Sequence, residues 1–289
     1  MRLGAIFPHN EIGADPEAMK IWATAVEDLG YHHIMAFDHV LGAGTASRPG
    51  WRGYTSADSF HEVFVLFGYL AGLTTSTELV TGVLVLPQRQ TALVAKQAAE
   101  VDILSKGRLR LGIGVGWNDV EYEALGQDFT TRGRRAEEQV EVLRALWAHP
   151  EITFQGRWHT IREAGINPRP VRGHIPVWFG GHSHATLRRV GRQGDGWLPL
   201  IEPGPQAEGM LRHIHQAAQE AGRNPRHIGI EIKVSLSAGS LDSRLSYVHH
   251  WRELGATHVT IETHGMGRTV HEHIAMLEEA AKTYQRQSW

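Results

Sequence analysis

The sequence contains no cysteine. That absence removes disulfide frameworks, zinc–thiolate sites, thiol nucleophiles and the cysteine-ligated zinc of nucleobase deaminases together. An excess of charge of one sign is also missing, because 29 Lys plus Arg stand against 31 Asp plus Glu and the formal net charge is -2. Such a surface offers no broad field to phosphate backbones or anionic lipid, so neither nucleic acid nor membrane is an expected partner. Long apolar runs are lacking too. The uncharged stretch 63–77 is shorter and more polar than the roughly 20 apolar residues that a bilayer requires. Met1 and Arg2 lead only into a strand-length apolar run, with His9, Asn10 and Glu11 close behind, so a secretory leader is not expected. The expectation is a cytoplasmic protein.

Several catalytic signatures are absent as well. No GxSxG elbow, P-loop or HExxH pair occurs, so the serine-hydrolase, P-loop and zincin readings have no motif to stand on. The 19 histidines include the close pairs His32/His33, His182/His184, His213/His215, His249/His250 and His271/His273. None has carboxylates grouped with it at a strand end in the way a catalytic metal barrel needs; only Asp38-His39 comes near, and no metal is expected in the chemistry.

What is present is a rhythm. Residues 3–7 form an apolar strand, and Asp15-Pro16 reads as an N-cap followed by proline at the first helical position. Met19, Trp22, Ala23, Val26 and Leu29 then recur at helical spacing until Gly30. Further strands are expected at 31–37, 79–86, 108–113, 177–179, 197–200, 228–234 and 257–261. Helical patterns follow each of them, among them 59–73, 91–105, 132–148 and 183–192. Short alternation over 152–161 suggests a small hairpin inserted after the fourth strand. Eight strands alternating with helices imply a parallel sheet closed into a (β/α)8 TIM barrel, in one unit over residues 1–289. A doubly wound open sheet is the alternative, but it usually stops at fewer strands and has edges to protect.

In such barrels chemistry sits at the C-terminal strand ends, which narrows the search. Strand two ends in Phe37-Asp38-His39-Val40, placing a carboxylate and an imidazole there; a capping Asp and a surface His are the plain alternative. Gly82, in the run before Val83 and Leu84, suits close approach of a flat ligand, or only a buried strand. After strand four, Gly112 to Asp119 carries glycines at spacing two, then Trp117, Asn118 and Asp119. It does not fit GxGxxG, so what remains is an open loop with Asp119 available for proton transfer or for capping the next helix. Gly180-Gly181-His182 opens a helix, where bare backbone N–H groups favour a phosphate, unless the segment is simply a turn. Trp197 in Gly194-Asp195-Gly196-Trp197 could wall the same cavity. The loop 42–53, with Arg48, Trp51, Arg52 and nearby Tyr54, suits a substrate pocket, a lid or a dimer contact.

Taken together, FDHV at strand two, TGVLVLP at strand three, LSKGRLRLGIGVGWNDVEYEALG and PVWFGGHS with GDGW resemble the luciferase-like monooxygenase superfamily. More narrowly they resemble its deazaflavin branch, which uses coenzyme F420. The similarity runs from Leu3 to about Leu200; beyond that it rests on the order of elements. It implies a barrel with an inserted segment, usually a homodimer. It also implies that Asp38 and His39 contact the deazaflavin ring or the substrate beside it. Val83 and Leu84 fall where family members have a bulge, often with a non-proline cis peptide, behind the ring. Gly116, Trp117 and Asn118 would lie along the cofactor, with Gly180, Gly181 and His182 near its phosphate. Asp119 falls where the sugar-phosphate dehydrogenases of the family carry a catalytic Glu. The basic residues that would hold a sugar phosphate are not identifiable here, and that substrate is not carried over.

A deazaflavin passes hydride and does not readily activate oxygen, so the resemblance implies an oxidoreductase acting on a small organic substrate, with His39 or Asp119 moving the coupled proton. Two other readings remain open: an FMN-dependent monooxygenase on the same barrel, and a barrel that binds flavin or deazaflavin without catalysis.

Overall fold

The computed structural model describes residues 1–237 and 239–287, so the last two residues of the expected 1–289 unit lie outside the described residues. The first unit is β1 (Arg2–Ile6) followed by α1 (Pro16–Asp28). Asp15 caps α1 by accepting the Glu17 N–H at 3.0 Å, with Pro16 at the first turn. The chain leaves α1 through Gly30, whose φ of 80° is a conformation that side chains other than glycine rarely adopt.

The rhythm continues with β2 (His33–Ala36), α2 (Val63–Leu73), β3 (Glu78–Val85), α3 (Thr91–Leu104), β4 (Leu109–Gly114), α4 (Asp119–Ala124) and α5 (Arg132–Ala148). An antiparallel hairpin, β5 (Ile152–Gln155) and β6 (Thr160–Ala164), stands apart from the main sheet, where the short alternation predicts it. Then come β7 (Val177–Gly180), α6 (His184–Gln193), β8 (Gly196–Leu198), α7 (Pro205–Glu220), β9 (Gly229–Ser235), α8 (Leu241–Glu253), β10 (His258–Glu262) and α9 (Val270–Arg286). Strands β1, β2, β3, β4, β7, β8, β9 and β10 pair in parallel and close into a barrel. The open-sheet alternative is therefore set aside.

Helix α2 starts at Val63, four residues later than its apolar pattern suggests. Glu62, the residue just before it, accepts the Val65 N–H at 2.9 Å and so caps the helix there. The main core lies between strands and helices, with Trp22, Phe67, Leu84, Trp147, Trp197 and Trp251 buried there. A second, inner cluster of Ile6, Met35, Val80, Trp178 and Leu198 fills the barrel.

Below that inner cluster the barrel is charged. Arg110 lies between Glu78 (Nε to Oε2, 3.0 Å) and Glu231 (Nη1 to Oε2, 2.5 Å), and His33 Nε2 is 2.6 Å from Glu231 Oε1. The Thr260 hydroxyl also donates to Glu231. Buried charges persist only when paired and hydrogen-bonded, and here Arg110 stands between two carboxylates while Glu231 is also hydrogen-bonded to His33 and Thr260.

At the outer edge of the same end, Glu27 of α1 accepts the N–H groups of Thr75, Ser76 and Thr77 at 2.9, 2.6 and 3.0 Å, pinning the turn into β3. Partial burial would raise its pKa, but these hydrogen bonds outweigh it and draw the carboxyl down to about 2. A depressed carboxyl contributes stability above its unfolded value and loses it as pH falls through the folded value. Urea denaturation of Glu27→Gln should therefore show a less stable protein near neutral pH. The gap to the wild type should close as pH drops from about 5 towards 2; a gap independent of pH would refute the assignment.

Candidate active site

The C-terminal strand ends enclose a cavity of about 290 Å³, walled largely by apolar side chains such as Met35, Phe37, Val83, Leu198 and Ile232. Its back is built around a bulge. The β3–β4 register shifts between Thr81 and Leu84, and the Gly82–Val83 peptide is cis, as the resemblance implies for this place. Val83 projects into the cavity wall, whereas Leu84 is fully buried on the helix side and does not line it.

Glycines make room for the Val83 side chain. A Cβ on Gly114 would come within 2.5 Å of Val83 Cγ2, and one on Gly180 within 2.9 Å of Cγ1. Both distances are below contact, so the ends of β4 and β7 act as sockets that seat the bulge. Gly116, Asn118, Gly180 and Gly181 also line the cavity.

Asp38 braces this wall from beneath. Its Oδ2 accepts the Val85 N–H at 3.0 Å and its Oδ1 accepts Arg89 Nη2 at 2.6 Å. Arg89 reaches Glu62 as well, at 2.8 Å. Burial alone would lower the Arg89 pKa, but the two carboxylates outweigh it and raise it. Both Asp38 oxygens are thus committed to the protein.

His39 is held differently. Its Nδ1 is 3.2 Å from Oε2 of Glu121, a buried carboxylate in the first turn of α4. The other oxygen, Oε1, accepts the N–H groups of Val40 and Leu41 at 2.7 and 3.2 Å. Burial would raise the Glu121 pKa, but the bonds from His39 and from these two N–H groups bring it below its ordinary value. An ionised carboxylate only accepts, so Nδ1 carries a proton and Nε2 is the nitrogen left to exchange one. Tyr54 and Phe60 pack on the same ring, each 4.8 Å between centroids.

The structure does not bring Asp119 to this cavity. It is exposed at the first position of α4, and the cap is Asn118, whose Oδ1 accepts the Val120 N–H at 3.2 Å. Asn118 lines the cavity, and its Nδ2 is buried with no hydrogen-bond partner in the protein. His182 is exposed beyond the two glycines. Trp197 lies behind the wall in the main core, where its indole N–H donates to the Gly181 carbonyl at 2.8 Å. Trp117 stands half exposed at the mouth, 5.8 Å from Trp51, so the 42–53 loop leans on the entrance and Tyr54 joins the lining.

Other residues at the site were not anticipated. Glu121 is the foremost; it sits at the third helical position, and adjacency to the glycine loop favoured Asp119 instead. His9, just after β1, accepts the Phe37 N–H at Nε2 (3.1 Å), and burial draws its pKa down to about 3, so it is neutral. Lys233 lines the cavity and pairs with Glu262 at 3.1 Å, which in turn holds His264 at 3.0 Å. Among the described residues no helix is long and apolar enough to cross a membrane.

Comparison with known proteins agrees with this architecture. The profile of the luciferase-like monooxygenase family matches residues 2–288. An uncharacterised protein of Mycobacterium tuberculosis is 32% identical over 213 residues, 73% of this chain and 71% of its own. Among solved structures, the monooxygenase RslO1 from Streptomyces bottropensis superposes with a TM-score of 0.78 at 20% identity, covering all of both chains. An F420-dependent secondary alcohol dehydrogenase, solved with an F420–acetone adduct, superposes with a TM-score of 0.77 at 16% identity, over 96% and 97% of the two chains. At those identities the two structures speak for the fold.

Proposed function

Since the chain belongs to the luciferase-like monooxygenase family, we propose that it is an F420-dependent oxidoreductase moving a hydride between the deazaflavin and a small organic substrate. The observation that carries this reading is the His39–Glu121 pair beside an apolar wall that the Val83 bulge and its glycine sockets keep flat. The residues present fit a planar ring. Val83 backs it, Gly116 leaves room beside it, and the unpartnered Asn118 Nδ2 supplies a donor that a ring carbonyl would satisfy. Gly180 and Gly181, ahead of α6, would take the phosphate.

When bound, the deazaflavin supplies a carbon that gives or accepts hydride. The protein's own share is the proton: Glu121 holds His39 at Nδ1, so that Nε2 takes a proton from an alcohol or, once charged, returns it to a carbonyl. Met35, Phe37, Leu198 and Ile232 keep water away and favour an apolar substrate body. The secondary alcohol dehydrogenase with its F420–acetone adduct supports this choice of cofactor and substrate class. The likeness to RslO1 supports the second reading, an FMN-dependent monooxygenase. A homodimer belongs to the same proposal, with the exposed Val65 and Tyr69 of α2 offering an apolar face.

Parallel titration of the apo-protein with F420 and FMN, followed by each cofactor's fluorescence, separates the readings. F420 is expected to bind at least about tenfold more tightly, a difference of roughly 1.4 kcal/mol. Preference for FMN, with oxygen consumed alongside substrate, would overturn the hydride-transfer reading in favour of the monooxygenase.

A further inference from the structure

The opposite end of the barrel carries a second constellation. His32, His33 and Glu78, at the N-terminal ends of β2 and β3, each present one ligand atom, and these three atoms lie within 4.8 Å of one another. His33 is fully buried, and its Nε2 is held by Glu231 at 2.6 Å. A carboxylate on one ring nitrogen, fixing the tautomer and leaving the other nitrogen's lone pair free, is how metal-ligating histidines are usually oriented. The free nitrogen of His33, Nδ1, is buried with no hydrogen-bond partner in the protein, and so is Nδ1 of His32. Glu78 is oriented in its turn, since Arg110 Nε donates to its Oε2 at 3.0 Å.

Two orphaned imidazole nitrogens beside an oriented carboxylate make a donor set that suits borderline cations rather than calcium or magnesium. We propose that His32, His33 and Glu78 form a binding site for one divalent transition-metal ion, Zn²⁺ by preference, at the base of the barrel. His32 Nδ1 and Glu78 Oε2 stand 4.0 Å apart. Ligands around tetrahedral zinc, with bonds of about 2.0–2.2 Å, stand about 3.3–3.5 Å apart. The gap closes by rotation of His32 and Glu78, both partly exposed. Arg110 repels a cation, but Glu231 and Glu78 together offset its charge and that of the ion's first positive unit. The site lies beneath the cavity floor, where Glu231 holds His33, at the opposite strand ends from His39, and does not depend on the proposed reaction.

The test uses the full chain after chelator treatment, titrated with Zn²⁺ and, as a spectroscopic probe, with Co²⁺, while metal content and thermal unfolding are recorded. The expected result is one ion per chain, a visible Co²⁺ absorption of four-coordinate type and a Tm that rises with zinc. His32→Ala and Glu78→Gln should each weaken binding by at least about tenfold. His213→Ala, in the surface pair with His184, should leave it unchanged. Absence of stoichiometric binding in the wild type, or binding that survives His32→Ala, would overturn the proposal. Glu78 also pairs with Arg110, so if Glu78→Gln fails to fold, the partly exposed His32 decides the matter.

Discussion

Turnover of His39→Ala is expected to fall by about 10²–10⁴-fold, the usual contribution of a positioned acid–base group, while cofactor affinity changes by less than about tenfold. The asymmetry follows from what the ring touches. Nδ1 is committed to Glu121, so the side chain's chemistry is concentrated at Nε2, whereas the ring slot is built by Val83, Gly114 and Gly180 and survives the substitution. Glu121→Gln should lose less, since an amide oxygen can still accept from Nδ1 but no longer stabilises the charged ring. Asp119→Ala should stay close to the wild type, because Asp119 points to solvent. Steady-state rates in both directions of the redox reaction decide this. A His39→Ala enzyme keeping most of its turnover would remove the imidazole from the mechanism, and a silent Glu121→Gln beside a slow Asp119→Ala would return the proton to the exposed carboxylate.

Asp38→Ala should destabilise the protein by about 3–5 kcal/mol, the range for removing one partner of a buried ion pair. Two groups lose a partner at once. Arg89 keeps only Glu62, and the Val85 N–H loses its acceptor just beyond the bulge. The loss should therefore appear twice: as a lower midpoint in urea and as weakened F420 binding in protein that remains folded. Asp38→Asn, which keeps an acceptor for Val85, should fall between the two. An Asp38→Ala protein of wild-type stability would mean that Arg89 finds another acceptor and that the brace under the wall is not needed.

Much of the barrel was legible because buried parallel strands and amphipathic helices write opposite periods into the chain, and residues 79–86 or the stripe of α1 show them plainly. The turn chemistry was legible too, at Asp15-Pro16 and Gly30. Segments whose ends are set by side-chain bonds were harder to place. Nothing in the apolar pattern of α2 says that the Glu62 side chain will reach forward to the Val65 N–H and set its start. The site divides along the same line. Asp38, His39, Val83 and Asn118 line the cavity at or just beyond strand ends, where position alone points to them, yet Asp38 serves as a brace, which only its distance to Arg89 reveals. Glu121 was passed over because choosing between carboxylates on one helical turn requires knowing which side of the helix faces the barrel. Lys233, Glu262 and His264 come from the part of the chain where only the order of elements guided the reading. The charged base of the barrel was out of reach for a further reason: His33, Arg110 and Glu231 sit on strands far apart in sequence and look like ordinary polar interruptions.

That charged base limits how the pocket can be remodelled. Glu231 and Thr260 form the bottom of the cavity, and Glu231 is tied there to Arg110 and to the Thr260 hydroxyl. Shaving Met35 or Ile232 to admit a bulkier molecule would let water reach a paired network that depends on being dry, so gain in volume would come with loss of the scaffold. Room for larger ligands lies upward, at Leu200, Trp117 and the 42–53 loop. A lineage adapting this barrel to new compounds should therefore accumulate its changes around the rim and leave the depths alone.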